Sequence, residues 1–296
     1  MNPAHVAEGV SALVSSAAPA AGAVAPGTAP AGAPAVPIGQ VRADVAVVLV
    51  TVLRDTLVRA VESVFAQDFP GRIHLLIGID VALGDRAMLD ALRARCPEKV
   101  EMTVLDLGYS TSQRHGGPHI NHFGGSLQTV LTFLAKAPAV AYLDDDDWYA
   151  PNHLSSLHAA LQGHLWAFTL AWYTNPWNLE DICVDRLESV GPNAGGYANT
   201  QGGFVRPSCL MVDKMAVQPL MHLWSYAFAP NESGDRLVFQ ALRQHAPNWG
   251  VTDQPTVHYL IKPTDETHAI RLEYFREQGY DLTRLRHGEP FIAPRV

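Results

Sequence analysis

Residues 45–53, VAVVLVTVL, decide the fold of this chain. A continuous β-branched run of this length is typical of a strand buried on both faces, as in a parallel sheet covered by helices. The apolar residues from Leu57 to Phe65 then repeat on one helical face, and residues 68–71, DFPG, end that helix. A second buried strand, IHLLIGID, follows at residues 73–80. This succession of strand, helix and strand predicts a right-handed βαβ unit.

The alternation of strands and helices continues to residue 150. We expect a helix, a strand, a helix and a strand that start near residues 85, 100, 126 and 139. This order predicts an α/β fold with a mixed, mostly parallel sheet flanked by helices. Beyond Pro151 the pattern is less regular, and aromatic-rich and glycine-rich loops indicate a substrate-facing half without a core of its own.

Composition separates residues 1–42 from the rest of the chain. The first 40 residues hold 13 Ala, 6 Pro and 5 Gly, with one carboxylate and no Lys or Arg. Such a segment has too little apolar periodicity to offset the entropy of ordering it. We therefore predict a flexible tail over residues 1–42 and a single domain over residues 43–296.

Charge and cysteine content exclude several classes of protein. The net charge of −8 argues against a nucleic-acid binder with a broad basic surface. The three cysteines show neither a zinc nor a disulfide spacing, which favours a reducing, cytoplasmic location. No stretch approaches the roughly 18–20 apolar residues that cross a bilayer, so we expect no transmembrane segment and at most a peripheral membrane contact.

The strongest chemical signal is the run of four aspartates at residues 144–147. Adjacent carboxylates repel one another, so keeping them ionised requires a cation or solvent. A hard divalent ion, Mg²⁺ or Mn²⁺, that bridges a diphosphate suits such oxygen ligands. A solvated acidic turn that caps the next helix is the alternative. The position directly after a buried strand favours the cation site.

Four segments in this order resemble the family 2 glycosyltransferases of the GT-A fold. They are VTVLR at residues 50–54, ESVFAQDFP at 62–70, IGID at 77–80 and LDDDDWYAP at 143–151. The resemblance implies an EC 2.4-type enzyme that moves a sugar from a nucleotide-sugar donor, with UDP as the first choice, to a sugar or other hydroxyl acceptor. It also implies that residues 43–150 bind the nucleotide and residues 151–296 bind the acceptor.

The resemblance implies a role for each matching residue. Thr51 matches a threonine near the donor base, and Asp80 matches the acid that binds the base or ribose. Asp144 and Asp146 match the two acids of the DxD motif, of which the second ligates the metal; a shift of one residue within 145–147 stays open. The expected donor-binding residues are Thr51, Arg54, Asp80, Asp144 and Asp145, and the expected metal ligands are Asp146, Asp147 and His258.

The C-terminal part supplies candidates for the acceptor side. Some GT-A enzymes use a late histidine at the metal or diphosphate, which His258 would match, and Lys262 could serve the diphosphate by charge instead. An inverting enzyme needs a general base. The resemblance places it at Asp235, at the start of a helix, with Glu232 second; a helix N-cap is the alternative role.

Further segments could contact the acceptor. Residues 202–206, GGFVR, resemble the loop beneath the acceptor site in the family, or form a tight turn into a strand. Trp172, Tyr173 and Trp177 could stack on a sugar ring or pack beneath the loop.

Departures from the family pattern leave alternatives. The first turn has Val50, Val52 and Leu53 where the family has proline, an aromatic residue and asparagine. A degenerate GT-A domain that binds without catalysing is therefore the main alternative. A nucleotidyltransferase would need a glycine-rich, basic phosphate loop after the first strand, and a phosphohydrolase would need a DxDx[TV] nucleophile pattern; neither is present.

Overall fold

The computed structural model of the chain describes residues 43–120, 124–227, 234–265 and 267–285. The strands are β1 (Val45–Thr51), β2 (Ile73–Ile79), β3 (Val100–Asp106), β4 (Ala139–Asp144), β5 (Trp148–Tyr149), β6 (Trp166–Thr174), β7 (Asp181–Val184), β8 (Gly191–Pro192), β9 (Gly203–Phe204), β10 (Leu210–Asp213) and β11 (Trp249–Leu260). The predicted tail over residues 1–42 lies outside the described residues.

Helices flank the strands. The α-helices are α1 (Thr56–Phe65), α2 (Ala87–Ala94), α3 (Gly125–Leu134), α4 (His153–Leu161), α5 (Ala198–Gln201), α6 (Gly234–His245) and α7 (His268–Glu277). Short 3₁₀ helices cover Gln113–His115, Pro207–Cys209, Gln218–Ser225 and Leu282–Leu285. In the described part of the chain, no helix combines the length and the apolar character that crossing a bilayer requires.

A curled nine-stranded sheet carries the fold, and β8 and β9 form a separate two-stranded sheet. The strands of the nine-stranded sheet follow the order β3-β2-β1-β4-β10-β6-β11-β5, with β7 paired to β6. β1 runs parallel to β2 and to β4, and β2 runs parallel to β3. β10 is antiparallel to both β4 and β6, while β6 and β11 are parallel. The predicted α/β class with a mixed, mostly parallel sheet is confirmed.

The first half folds as its hydrophobic pattern predicts. Every residue of β2 is buried, and in β1 the half-buried Val50 is the exception. Helix α1 buries Leu57, Val61 and Val64 against the sheet. Burying a side chain of this kind contributes about 1.5–3 kcal/mol, so the face of this helix is sufficient to fix it on the strands.

The second half, which was expected to have no core of its own, shares the core of the first half and adds one small cluster. The segment WAFTLAWYT forms β6, a nine-residue strand in the middle of the sheet, and its buried residues join the core of the first half. A second, smaller cluster packs Tyr173, Ile261, Phe275 and Leu285 together. Trp172 and Tyr173 are strand residues of β6, because aromatic side chains suit a buried pleated surface, whereas Trp177 lies in the turn after that strand.

Candidate active site

A cleft of ≈ 600 Å³ opens at the carboxyl ends of β1 and β4. It brings together Thr51, Arg54, Asp80, Asp144, Asp145 and Asp146, which include every predicted donor-binding residue. Asp235 and Lys262, from the second half of the chain, line the same cleft. The convergence follows from topology, since parallel strands direct their carboxyl ends to the same edge of the sheet.

The turn after β1 holds Asp145. Thr51 Oγ1 donates a hydrogen bond of 2.6 Å to Asp145 Oδ2 and accepts one of 2.8 Å from the backbone N–H of Leu53. Arg54 Nη1 donates to Asp145 Oδ1 at 2.5 Å. Leu53 has a positive φ of 65°, a conformation that is costly for a branched side chain. This backbone bend is part of the turn that directs Arg54 toward the acidic residues.

The remaining aspartates of the acidic turn have different partners. Lys262 Nζ lies 2.7 Å from Asp146 Oδ2, and Arg54 Nη1 lies 3.4 Å from the same oxygen. Ser208 Oγ donates to Asp147 Oδ2 at 2.6 Å, and the backbone N–H of Leu260 lies 3.4 Å from Asp147 Oδ1. Asp146 is therefore directed toward cations in the cleft, whereas Asp147 anchors the turn to the rest of the fold.

Electrostatics separate these carboxyl groups. Burial, reinforced by Asp147 and Asp146, raises the pKa of Asp144 well above its usual range. Burial and then Asp146 raise the pKa of Asp147 to about 7. Burial acts in the same direction on Asp146, but the charges of Lys262 and Arg54 outweigh it and lower the pKa of Asp146. Asp146 is thus the carboxylate that its surroundings keep ionised.

Asp80, which the resemblance assigns to the base or ribose, directly follows β2. Its backbone N–H donates to the carbonyl of Thr51 at 2.9 Å, and Ser110 Oγ donates to its Oδ1 at 2.9 Å. The residue is buried and lines the cleft. A carboxylate held in this way presents an acceptor to a hydroxyl or an imino N–H, the groups that a nucleoside offers.

Asp235 is the candidate base that the structure describes. It is the second residue of α6, is half-buried and lines the cleft. Its charge is close enough to Asp144 to raise the pKa of Asp144 further. Its Oδ1 accepts the backbone N–H of Arg236 at 2.7 Å. Glu232, the second candidate, lies outside the described residues.

The side chain of His258 interacts with Asp181 and two tryptophans rather than with the acidic turn. Its Nδ1 is 2.8 Å from Asp181 Oδ1, and its ring stacks between Trp148 and Trp172, with centroids 4.9 Å and 4.7 Å away. It does not line the cleft. Trp172 therefore packs beside His258, and the neighbouring Tyr173 is fully buried. Neither side chain is placed to stack on a ligand in this cleft.

The predicted ligands do not fit one divalent ion as they are arranged. In residues 43–120, 124–227, 234–265 and 267–285, no group of three or more His, Cys, Asp or Glu side chains is placed to hold a metal. Asp146 is paired with Lys262, Asp147 with Ser208, and His258 with Asp181. The Mg²⁺ or Mn²⁺ site stays a prediction, and we derive no chemical step through it.

Sequence reasoning missed a buried ionic network beside the cleft. Arg206 Nη2 donates to Asp185 Oδ2 at 2.6 Å, and its guanidinium lies 3.7 Å from the ring centroid of Tyr259. Arg271 Nε donates to Glu188 Oε2 at 2.8 Å. The available signal was Arg206 itself, a single charge inside the apolar run FVRPSCLMV, because a buried arginine requires a partner. The loop that ends at this residue reaches the cleft, where Phe204 and Arg206 are lining residues.

Comparison with known proteins identifies the fold. No family model and no curated protein sequence matches the chain. Among solved structures, TarS from S. aureus aligns with a TM-score of 0.51 and 17% identity, over 81% of this chain and 40% of that chain. TarS 1–349 in complex with UDP-GlcNAc aligns at 0.53 and 14%, over 75% and 60%. The same fragment in complex with UDP aligns at 0.52 and 16%, over 81% and 67%.

These alignments leave out a third or more of TarS, and at such low identity they establish the fold alone. The chain has a glycosyltransferase fold of the GT-A type, as TarS does.

Proposed function

We propose that this protein is a glycosyltransferase, related to family 2, that moves a sugar from a nucleotide-sugar donor to a hydroxyl acceptor with inversion at the anomeric carbon. One observation carries the proposal: a single cleft contains Thr51, Asp80 and the acidic turn together with the carboxylate of Asp235. Donor and acceptor must meet in one space, and this cleft is large enough for a small ligand.

The donor side supports a nucleoside diphosphate. Asp80 offers a fixed acceptor for the base or ribose, and Arg54 and Lys262 offer positive charge for the diphosphate. We expect the donor to be a UDP-sugar, because TarS, which shares the fold, was crystallised with UDP-GlcNAc and with UDP. A cation beside the leaving diphosphate stabilises the charge that develops there.

The acceptor side supports general-base catalysis. The Asp235 carboxylate takes the proton of the acceptor hydroxyl as its oxygen forms a bond to the anomeric carbon. The bond from that carbon to the diphosphate oxygen breaks, and its electron pair stays on the departing nucleoside diphosphate. Asp235 ends protonated, and a base in this position contributes about 10²–10⁴-fold to the rate.

A donor screen followed by one substitution tests the proposal. Thermal-shift measurements with UDP-, GDP-, dTDP- and CMP-sugars should show one preferred nucleotide, since a ligand of the folded state raises its stability. Asp235→Asn retains an oxygen that accepts the Arg236 N–H, so folding and donor binding should persist while transfer falls by about 10²–10⁴-fold.

The matched control is Asp213→Asn. Asp213 also accepts a backbone N–H with Oδ1, from Met215 at 3.0 Å, but does not line the cleft. Its variant should transfer sugar at the wild-type rate. Normal transfer by Asp235→Asn would overturn the role of Asp235, and nucleotide binding without any transfer would favour the degenerate, non-catalytic domain. If the protein binds none of the nucleotides tested, the proposed function is overturned.

A further inference from the structure

The cation nearest to Asp146 is the ammonium group of Lys262. Its Nζ lies 2.7 Å from Asp146 Oδ2, while Arg54 Nη1 approaches the same oxygen at 3.4 Å. The Asp146 side chain is 7% exposed and the Lys262 side chain is 35% exposed. The carboxylate is thus enclosed by protein, the ammonium is the more exposed of the two groups, and both residues line the cleft.

The position of Lys262 is fixed by the sheet. It follows β11, whose register is set by pairing of Val257 with Tyr149 and of His258 with Trp148. The next residue after β11, Ile261, is fully buried and donates its backbone N–H to Thr174 at 3.1 Å. The strand that follows the acidic turn is therefore hydrogen-bonded to the strand that precedes Lys262. This pairing holds the ammonium beside the turn without requiring a ligand.

The charges at this point match what a diphosphate needs. A nucleoside diphosphate brings anionic oxygens, and a charge-assisted hydrogen bond from an ammonium or guanidinium is stronger than a neutral one. Lys262 and Arg54 are both cleft residues and approach the same carboxylate. Each can hydrogen-bond to a diphosphate on one side while Asp145 or Asp146 holds it on the other.

We propose that Lys262, held by Asp146 and assisted by Arg54, contacts the donor diphosphate directly and supplies the neutralising charge that the sequence analysis assigned to a divalent cation. The inference rests on the proposed nucleotide-sugar site. Two consequences follow: nucleotide binding does not require Mg²⁺ or Mn²⁺, and the contribution of Lys262 depends on the phosphates of the ligand rather than on its base.

Calorimetric titration with UDP and with uridine tests this inference. Wild-type protein should bind UDP equally well in EDTA and in Mn²⁺ or Mg²⁺. Lys262→Gln should weaken UDP binding by about 10- to 100-fold, the effect of losing one hydrogen bond to a charged group, and leave uridine binding unchanged. Lys262→Arg should retain most of the UDP affinity. The control Lys136→Gln removes an equal charge from an exposed pair with Glu101 and should change neither affinity.

A second background separates direct contact from a structural role. Lys262→Gln alone leaves Asp146 without its nearest cation and could disturb the turn, so the same substitution is also made in Asp146→Asn, where no buried carboxylate remains at that position. A direct contact predicts that the loss of Lys262 still weakens UDP binding there. UDP affinity that is independent of Lys262 in this background would show that the lysine only compensates Asp146, and would overturn the inference.

The remaining outcomes are also decisive. A requirement for Mn²⁺ or Mg²⁺ in wild-type UDP binding would overturn the inference, as would an equal loss of uridine binding in Lys262→Gln. UDP binding in EDTA that depends on Lys262, without transfer from any UDP-sugar, would uphold the inference and overturn the proposed catalytic function. The two failures are therefore distinguishable.

Discussion

Asp185 is the residue whose replacement should reveal how much the buried network contributes to stability. It is fully buried and accepts five hydrogen bonds. Oδ1 accepts the hydroxyl of Tyr173 and the backbone N–H groups of Leu187 and Glu188, at 2.7–2.9 Å. Oδ2 accepts the backbone N–H of Ser189 at 3.0 Å and Arg206 Nη2 at 2.6 Å.

Asp185→Asn keeps the shape but replaces one acceptor with a donor. The less damaging orientation places the new NH₂ group at the Oδ2 position, where it faces the donors of Ser189 and Arg206. Losing a hydrogen bond to a charged group costs about 1.5–3 kcal/mol, and an unsatisfied buried N–H costs about 1–3 kcal/mol. We expect the free energy of unfolding to fall by about 2.5–6 kcal/mol, a range that includes the cost of breaking a buried ion pair.

Urea denaturation followed by tryptophan fluorescence measures this loss. The matched control is Asp253→Asn, because Asp253 is exposed and lies 3.7 Å from Arg186, and its φ of 51° suits asparagine. The control should change stability by less than about 0.5 kcal/mol. A loss below about 1 kcal/mol for Asp185→Asn would refute the reasoning, since it would mean that the two donors find other acceptors.

Two further substitutions test the first turn and a buried histidine. In Gly84→Ala the new Cβ would lie 1.9 Å from the carbonyl oxygen of Leu53, so the turn must shift and the thermal midpoint of unfolding should fall. In the control Gly196→Ala the nearest atom would be 3.3 Å from the new Cβ, so the thermal midpoint should fall less. An equal fall in both variants would contradict the predicted clash. Burial lowers the pKa of His153 to about 3. Because the unfolded histidine binds a proton near pH 6.5 and the folded one does not, this residue makes the free energy of unfolding fall as pH drops below about 6.5, by at most about 1.4 kcal/mol per pH unit. Urea titrations between pH 7 and pH 4 give the free energy of unfolding of wild type and of His153→Gln at each pH. Plotted against pH, the two free energies should differ in slope by this amount, and parallel plots would exclude the effect.

The sequence predicted those parts of the fold whose signal is local. The apolar pattern of β1 and the apolar face of α1 depend on residues that are close in the sequence, and both elements form as expected. The convergence of Thr51, Asp80 and Asp144 was also predictable, because parallel strands end at one edge of the sheet.

The parts that could not be predicted depend on residues far apart in the chain. Nothing in the aspartate run indicates that Asp146 pairs with Lys262 while Asp147 pairs with Ser208, since these partners come from the segment after β11 and from the 3₁₀ helix Pro207–Cys209. Pro255 lies in a part of β11 that pairs with β6 alone, because β5 reaches only Val257 and His258. The pairing with β6 is irregular on both sides of Pro255, which accommodates the missing N–H.

The pairing of β5 with β11 has a consequence for the order of events during synthesis. The acidic turn joins β4 to β5, and β5, two residues long, is hydrogen-bonded in the described sheet to a strand about one hundred residues further along the chain. Contacts of such long range form late, because a large loop must close before they are gained. A nascent chain that has released β1 to β6 therefore has the first four strands of the sheet but an unsupported turn, because β4 still lacks β10 and β6 still lacks both β10 and β11. Lys262 reaches the acidic turn only when the segment after β11 leaves the ribosome, and until then the open edges of β4 and β6 are exposed to aggregation.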